Sequence, residues 1–142
     1  MPKRVSPAEA AQFMAEGWRY LDVRSIPEFD SGHPEGAANV PLMHSQGGRM
    51  APNASFQTVV EANFPKDAKL VIGCKMGSRS AQAAAKLEAA GFSSVVDMRG
   101  GFSGERDMCG RVSFAGWADA GFPVATAPAP GNSYAELEKK TK

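Results

Sequence analysis

Cys74 is followed by Lys75-Met76-Gly77-Ser78-Arg79-Ser80. Before it lies Lys69-Leu70-Val71-Ile72, a short apolar run with β-branched members. After it comes Ala81 to Ala90, rich in alanine and helical in character. The order predicts a thiol at the mouth of a strand, on a short turn feeding the N-terminus of a helix. Such a terminus offers backbone N–H groups that lack intrahelical partners, together with the positive end of the helix dipole. It binds anions and favours thiolate over thiol. Cys74 is therefore the candidate nucleophile and covalent carrier. A cysteine in an apolar stretch can also be inert core. The strand–turn–helix placement is what sets this one apart.

The rest of the chain must hold that loop. Its 142 residues fit one domain with a real core, and 43% of them are hydrophobic. A net charge of +1 points to neither nucleic acid nor an anionic membrane surface as a bulk partner. No apolar run approaches the roughly 20 residues of a membrane span. The start, Met1 to Gln12, is basic and then amphipathic, without the apolar core of a secretory signal. Two cysteines, Cys74 and Cys109, make no disulfide framework, so a reducing cytoplasm is the expected location. With no CxxC pair, and with His33 and His44 the only histidines, no metal site and no cofactor are expected.

Ser6-Pro7 opens a first helix, with Glu9 completing a capping box. Arg19 to Arg24 reads as a strand ending in charge, and Ser25 to Ser31 as a helical turn carrying Glu28 and Phe29. Residues 32–36 read as loop, 37–41 as a short strand and 42–53 as a long polar loop. Ser55 caps a helix with Phe56, Val59, Val60 and Phe64 on one face. Ala83, Ala84, Leu87 and Ala90 give the helix after Cys74 a small-residue face that lets it approach a sheet closely. Gly91 ends that helix. Ser94 to Met98 is a strand, Arg99-Gly100-Gly101-Phe102 a tight turn, and 103–111 irregular. Phe114 to Gly121 reads as a last short helix. The division expected is one domain over 1–127 and a tail over 128–142, either mobile or strapped over the surface. Strands alternating with helices predict an α/β domain with a parallel sheet and helices on both faces. In such sheets ligands bind beyond the carboxyl ends of the strands. Cys74, Asp22 to Arg24 and Arg99 to Gly101 all fall at such ends.

Two segments together resemble the rhodanese family of sulfurtransferases. One is Asp22-Val23-Arg24 with Glu28-Phe29, Gly32-His33, Gly36-Ala37 and Asn39-Val40-Pro41. The other is Cys74-x-x-Gly77-x-Arg79-Ser80. Gly100-Gly101 and Trp117 fit the family's closing segment. The likeness covers roughly 5 to 125 and departs at Pro34, where many relatives have an aliphatic residue. It implies a central five-stranded parallel sheet, and Cys74 as the residue that carries sulfur as a persulfide. The donor it implies is a small anion such as thiosulfate, and the acceptor a thiol or cyanide.

In that chemistry the amides from Lys75 to Ser80 surround the anionic sulfur, and Gly77 permits the tight path. Lys75 and Arg79 add positive charge for an anionic donor; Arg79 can equally brace the loop, and Lys75 can be a solvated charge. Asp22, Arg24 and Glu28 read as a supporting ion-pair network, since sulfur transfer between thiolates needs no obligatory proton donor. His33 reads as a structural hydrogen-bonding residue. Cys109 reads as an incidental thiol, with sulfur acceptance or disulfide resolution as its alternative. Met43, Met50, Met76 and Met108 read as packing, or else as a rim around the sulfur. Four residues separate Cys74 from Arg79, one fewer than in the Cys-x5-Arg phosphatases. The tighter loop suits a sulfur atom better than a phosphoryl group, which disfavours phosphatase-like or arsenate-reducing activity. A second reading keeps the same residues but makes the chain a persulfide relay with protein donor and acceptor.

Overall fold

In the computed structural model, residues 3–75 and 78–141 are described. Met76 and Gly77, both expected in the cysteine loop, lie outside them, as does the side chain of Ser78. In chain order the elements are β1 (Lys3–Val5), α1 (Pro7–Ala15), β2 (Arg19–Asp22), α2 (Ile26–Ser31), β3 (His33–Pro34), β4 (Ala38–Asn39), β5 (Met43–Gln46), β6 (Arg49–Pro52) and α3 (Phe56–Asn63). Then come β7 (Lys69–Gly73), α4 (Ser78–Ala89), β8 (Ser94–Met98), β9 (Glu105–Arg106), β10 (Val112–Phe114), β11 (Val124–Ala125) and α5 (Tyr134–Glu138), with a 3₁₀ turn over Lys139–Thr141.

The central sheet has five parallel strands in the order β1-β8-β7-β2-β4. Its buried strands read as nearly continuous apolar runs, as a sheet covered on both faces requires. Period-two alternation sends Leu70 and Ile72 to one face and Val71 to the other. The first face packs against α3, α4 and α5 through Val59, Val60, Ala83, Ala84, Leu87 and Leu137. The second packs against α1 and α2 through Ala10 and Phe29, with Trp117 closing that layer. After β2 the chain steps to β4 on one side; after β7 it steps to β8 on the other. The order thus reverses between β2 and β7, and the crevice at their carboxyl ends is the natural ligand position.

Several local expectations are corrected. The polar stretch 42–53 is a β-hairpin in which Gly47 and Gly48 turn with φ of +57° and +80°. Polar composition hides such a hairpin, because its outer face is wet. His33–Pro34 is not loop but pairs antiparallel with Val124–Ala125. Residues 103–111 are not wholly irregular, since β9 pairs with β10. No helix forms over 114–121: Phe114 ends β10, and a turn follows in which Ala120 N–H donates to Gly116 O at 3.0 Å. Two glycines in that segment, Gly116 and Gly121, favour turn over helix. Lys3–Val5, given no element in the sequence reading, adds an edge strand beside β8.

Beyond residue 127 the chain folds back. Asn39 N–H donates to Asn132 O at 2.9 Å, covering the open edge of β4, and Asn53 Nδ2 donates to the Tyr134 hydroxyl at 3.2 Å. Tyr134 and Leu137 join the core cluster of the α3–α4 face.

Candidate active site

Cys74 follows β7 directly and is only 1% exposed. Strand register sets Gly73 opposite Asp22, and Ile72 opposite Asp97, so the ends of β2, β7 and β8 converge beside the thiol. Gly73 has no room for a side chain, since a Cβ there would run into the Tyr20 hydroxyl. That hydroxyl is buried and has no hydrogen-bond partner among the described residues; burial and the nearby Asp22 hold it firmly protonated.

The turn after β8 grips the cysteine loop through the backbone. Phe102 N–H donates to Cys74 O at 2.7 Å and Ser103 N–H to Lys75 O at 2.9 Å. Gly101, at φ +59°, makes this approach possible, since a Cβ there would lie 2.5 Å from Cys74 O. The two carbonyls are thereby turned into the 99–103 turn and satisfied there.

Arg79 and Ser80 stand in the first turn of α4. Arg79 forms a two-pronged pair with Glu28, at 2.7 Å and 3.0 Å. Ser25 donates to the same carboxylate from its N–H and its hydroxyl, at 3.1 Å and 2.9 Å. Burial opposes the charge of Glu28, but the bonds from Arg79 and Ser25 outweigh it and hold the carboxyl at about 2. The Arg79 guanidinium is correspondingly held in its charged form by Glu28.

Arg24 is fully engaged too. It clasps Asp22 through Nε and Nη2, donates to Gly32 O at 2.6 Å, and lies over the Phe102 ring at 4.5 Å. Burial works against its charge, and Asp22 overcomes it. Asp22 at 1% and Arg24 at 4% exposure make a dry ion pair, an arrangement that specifies geometry more than it adds stability. His33 is stacked on Phe29 at 3.7 Å, with Nδ1 against Phe29 O at 2.7 Å.

Arg24, Glu28, Gly32, Lys75, Phe102 and Ser103 line a cavity of about 240 Å³, of a size for a small polar molecule. Lys75 is exposed at its mouth. A larger cavity of about 400 Å³ lies against Phe56, Gln82 and Lys86, and its lining includes none of the expected site residues. Cys109 is exposed near the tip of the β9–β10 hairpin. Met108 beside it is fully exposed and Met50 nearly half exposed, so neither is packing. No group of three or more metal-ligating side chains occurs among the described residues.

Asp97 was passed over in the sequence as one more strand residue. It is 2% exposed on β8 and pairs with Arg4 at 2.8 Å; burial pushes its carboxyl above the ordinary range, with Ser80 and Arg4 pulling the other way. Ser80 in turn lies 3.4 Å from the Cys74 sulfur. The available signal was a lone acid inside the apolar run Val95-Val96-Asp97-Met98, where a charged side chain needs a partner.

The Rhodanese-like domain profile matches residues 6–106. The senescence-associated protein DIN1 of Raphanus sativus is 40% identical over 102 residues, covering 72% of this chain and 56% of that protein. The chain thus spans little more than half the length of that relative. Thiosulfate sulfurtransferase 16, chloroplastic, of Arabidopsis thaliana is 37% identical over 124 residues, covering 87% of this chain and 93% of that one. Among solved structures, Rv0390 from M. tuberculosis superposes with a TM-score of 0.76 at 23% identity, covering 88% of this chain and 98% of the other. That likeness concerns the fold.

Proposed function

We propose a function from one premise: the chain belongs to the rhodanese-like domain family. It is a sulfurtransferase that moves a sulfane sulfur from an anionic donor such as thiosulfate to a thiol or cyanide, through a persulfide on Cys74. The Cys74 thiolate attacks the outer sulfur of the donor. The donor's S–S bond breaks, sulfite leaves with the electron pair, and Cys74 carries the extra sulfur. An acceptor thiolate or cyanide then attacks that sulfur, and the Cys74 thiolate is released. No cofactor takes part.

The observation that carries this reading is the placement of Cys74: buried, at the strand-order reversal, immediately before the first turn of α4. An anionic persulfide there is stabilised by the helix terminus and by the backbone amides of the loop that leads into α4; Met76 and Gly77 of that loop lie outside the described residues. Lys75 draws the anionic donor to the cavity. Arg79, engaged by Glu28, acts as a brace that fixes the first turn of α4 against α2. Asp22 and Arg24 hold the neighbouring wall in the same way. No described helix is long and apolar enough to cross a membrane; a reducing cytoplasm keeps the thiol active.

The test is intact-mass analysis after incubation with thiosulfate. Wild type gains one sulfur atom and Cys74→Ser gains none; a Cys74→Ser protein that still gains sulfur overturns the assignment. Turnover is then compared among thiosulfate with cyanide, a persulfidated cysteine desulfurase, and arsenate with a thiol. Fast loading from the desulfurase with slow thiosulfate turnover would make the chain a relay between proteins. Arsenate reduction without sulfur loading would replace the sulfur-transfer reading altogether.

A further inference from the structure

A second cavity, of about 400 Å³, opens between the root of the β5–β6 hairpin, the start of α3 and the exposed side of α4. That volume falls in the range of small-molecule sites, roughly 300–1,000 Å³. Its frame is fixed by Asn53, which is 9% exposed. Asn53 N–H donates to Leu42 O at 3.0 Å and its Nδ2 to Pro41 O at 2.9 Å, while its Oδ1 accepts from Ser55 N–H at 3.0 Å. Across the hairpin root Met43 pairs with Pro52. The cavity is therefore preformed.

We propose that this cavity binds a small organic acid with an apolar body, in its carboxylate form. The site is independent of Cys74 and goes beyond the sulfur-transfer reading. Leu42, Met43, Pro52 and Phe56 give it apolar walls, and Leu42 and Phe56 belong to the core cluster behind them. The α4 wall is polar: Gln82 and Lys86, four residues apart, stand on one face of the helix. The apolar walls favour a hydrocarbon body. The polar wall offers its head group one cation and one carboxamide.

The sign of the head group follows from the charges. Among the described residues Lys86 is the one charged side chain in the lining, and its ammonium has no ion-pair partner there. Glu61, one turn along α3 from Gln57, is taken by Lys66 at 2.6 Å. The Gln82 side chain makes no hydrogen bond among the described residues, so its N–H groups remain to donate to a carboxylate oxygen. The first turn of α3 is not capped by the Ser55 side chain, so the positive end of that helix acts in the same sense as Lys86. A cationic head group would be repelled by Lys86, and a neutral one would gain nothing from its charge. Lys86 is exposed, so its attraction is modest and the apolar walls supply most of the affinity.

The test is a titration of the full chain with octanoate, read by backbone amide shifts in NMR. Octanoate should bind saturably, with a dissociation constant on the order of 1 mM. The shifts should centre on Met43, Ala54, Gln57, Gln82 and Lys86. Octanamide has the same shape without the charge and should bind about two- to fivefold more weakly. Lys86→Gln should weaken octanoate by the same factor and leave octanamide unchanged. Ala54→Trp adds bulk to the lining from an exposed turn and should abolish binding of both. Should that variant fail to fold, the wild type and Lys86→Gln decide between them. Shifts that do not saturate, or that centre on other residues, overturn the site. Equal affinity for octanoate and octanamide, or a Lys86→Gln protein that binds octanoate as well as wild type, overturns the carboxylate. Undiminished binding in a folded Ala54→Trp places the ligand elsewhere and also overturns the site. Shifts at the same residues on raising the protein concentration alone would make a second copy the occupant and sink the small-acid assignment. None of these readouts involves sulfur loading, so failure here leaves the Cys74 reading untouched.

Discussion

Glu28 is the side chain on which the first turn of α4 is anchored. Its carboxyl is held at about 2 because Arg79 and Ser25 bond its charged form more strongly than burial disfavours it. The folded value lies below the unfolded one, so its stabilisation is present above the unfolded value and is lost as the pH falls toward 2. The pair is partly solvent-exposed, so screening leaves a contribution on the order of 1 kcal/mol. Thermal melts should therefore show Glu28→Gln less stable than wild type at neutral pH. The gap should narrow progressively as the pH is lowered from about 4.3. A gap that stays constant with pH would mean that the carboxylate charge is not what holds Arg79. The residue types of this network were legible in the sequence. Which arginine serves which acid was not, because the i to i+2 pair Asp22–Arg24 and the distant pair Glu28–Arg79 depend on side-chain directions after folding.

At the scale of elements, the 99–103 turn decides the backbone of the cysteine loop. Gly101→Ala would place a methyl against Cys74 and Lys75 carbonyls at a positive φ that alanine disfavours. The expected cost is about 2 kcal/mol or more, read as a lower urea midpoint, together with poorer sulfur loading. Unchanged loading would show that the grip on the two carbonyls does not shape the site. The helices α1, α3 and α4 and the strands β2, β7 and β8 announced themselves through capping residues and apolar periodicity. The hairpin β5–β6 and the two-residue strands β3 and β11 did not, since their pairing is a long-range or wet-faced affair with little local signature. The absent helix over 114–121 fails for a related reason: spacing of Phe114 and Trp117 suggested a face, but glycine-rich turns were cheaper than a helix there.

For the molecule as a whole, α5 joins the core that supports α3 and α4. Leu137→Ala removes a buried side chain, 4% exposed, from that cluster. We expect a loss of about 2–3 kcal/mol in chemical denaturation, with Cys74 loading retained in the folded protein. A loss within experimental error would show that the segment after residue 127 is undocked in solution, as a mobile tail would be. Asn132 adds a second attachment, since its side chain accepts from Arg19 at 3.0 Å and donates to Gly36 O at 3.1 Å. These contacts span about a hundred positions of sequence, far beyond the reach of any local pattern.

By itself the sequence determined the class of the fold, the parallel sheet with helices on both faces, and the cysteine toward which the strand ends converge. Those features are written in periodicity, capping and the order of strand, turn and helix, all of them local. Only the tertiary structure decided that Arg79 is paired with Glu28, that the polar stretch after Leu42 is a hairpin, and that the tail carries core residues. It alone also brought Ser80 within 3.4 Å of the Cys74 sulfur. Ser80 is fixed by α4 and Cys74 by the end of β7, and their meeting depends on how closely an alanine-rich helix lies on the sheet. That distance is set by packing across the whole domain.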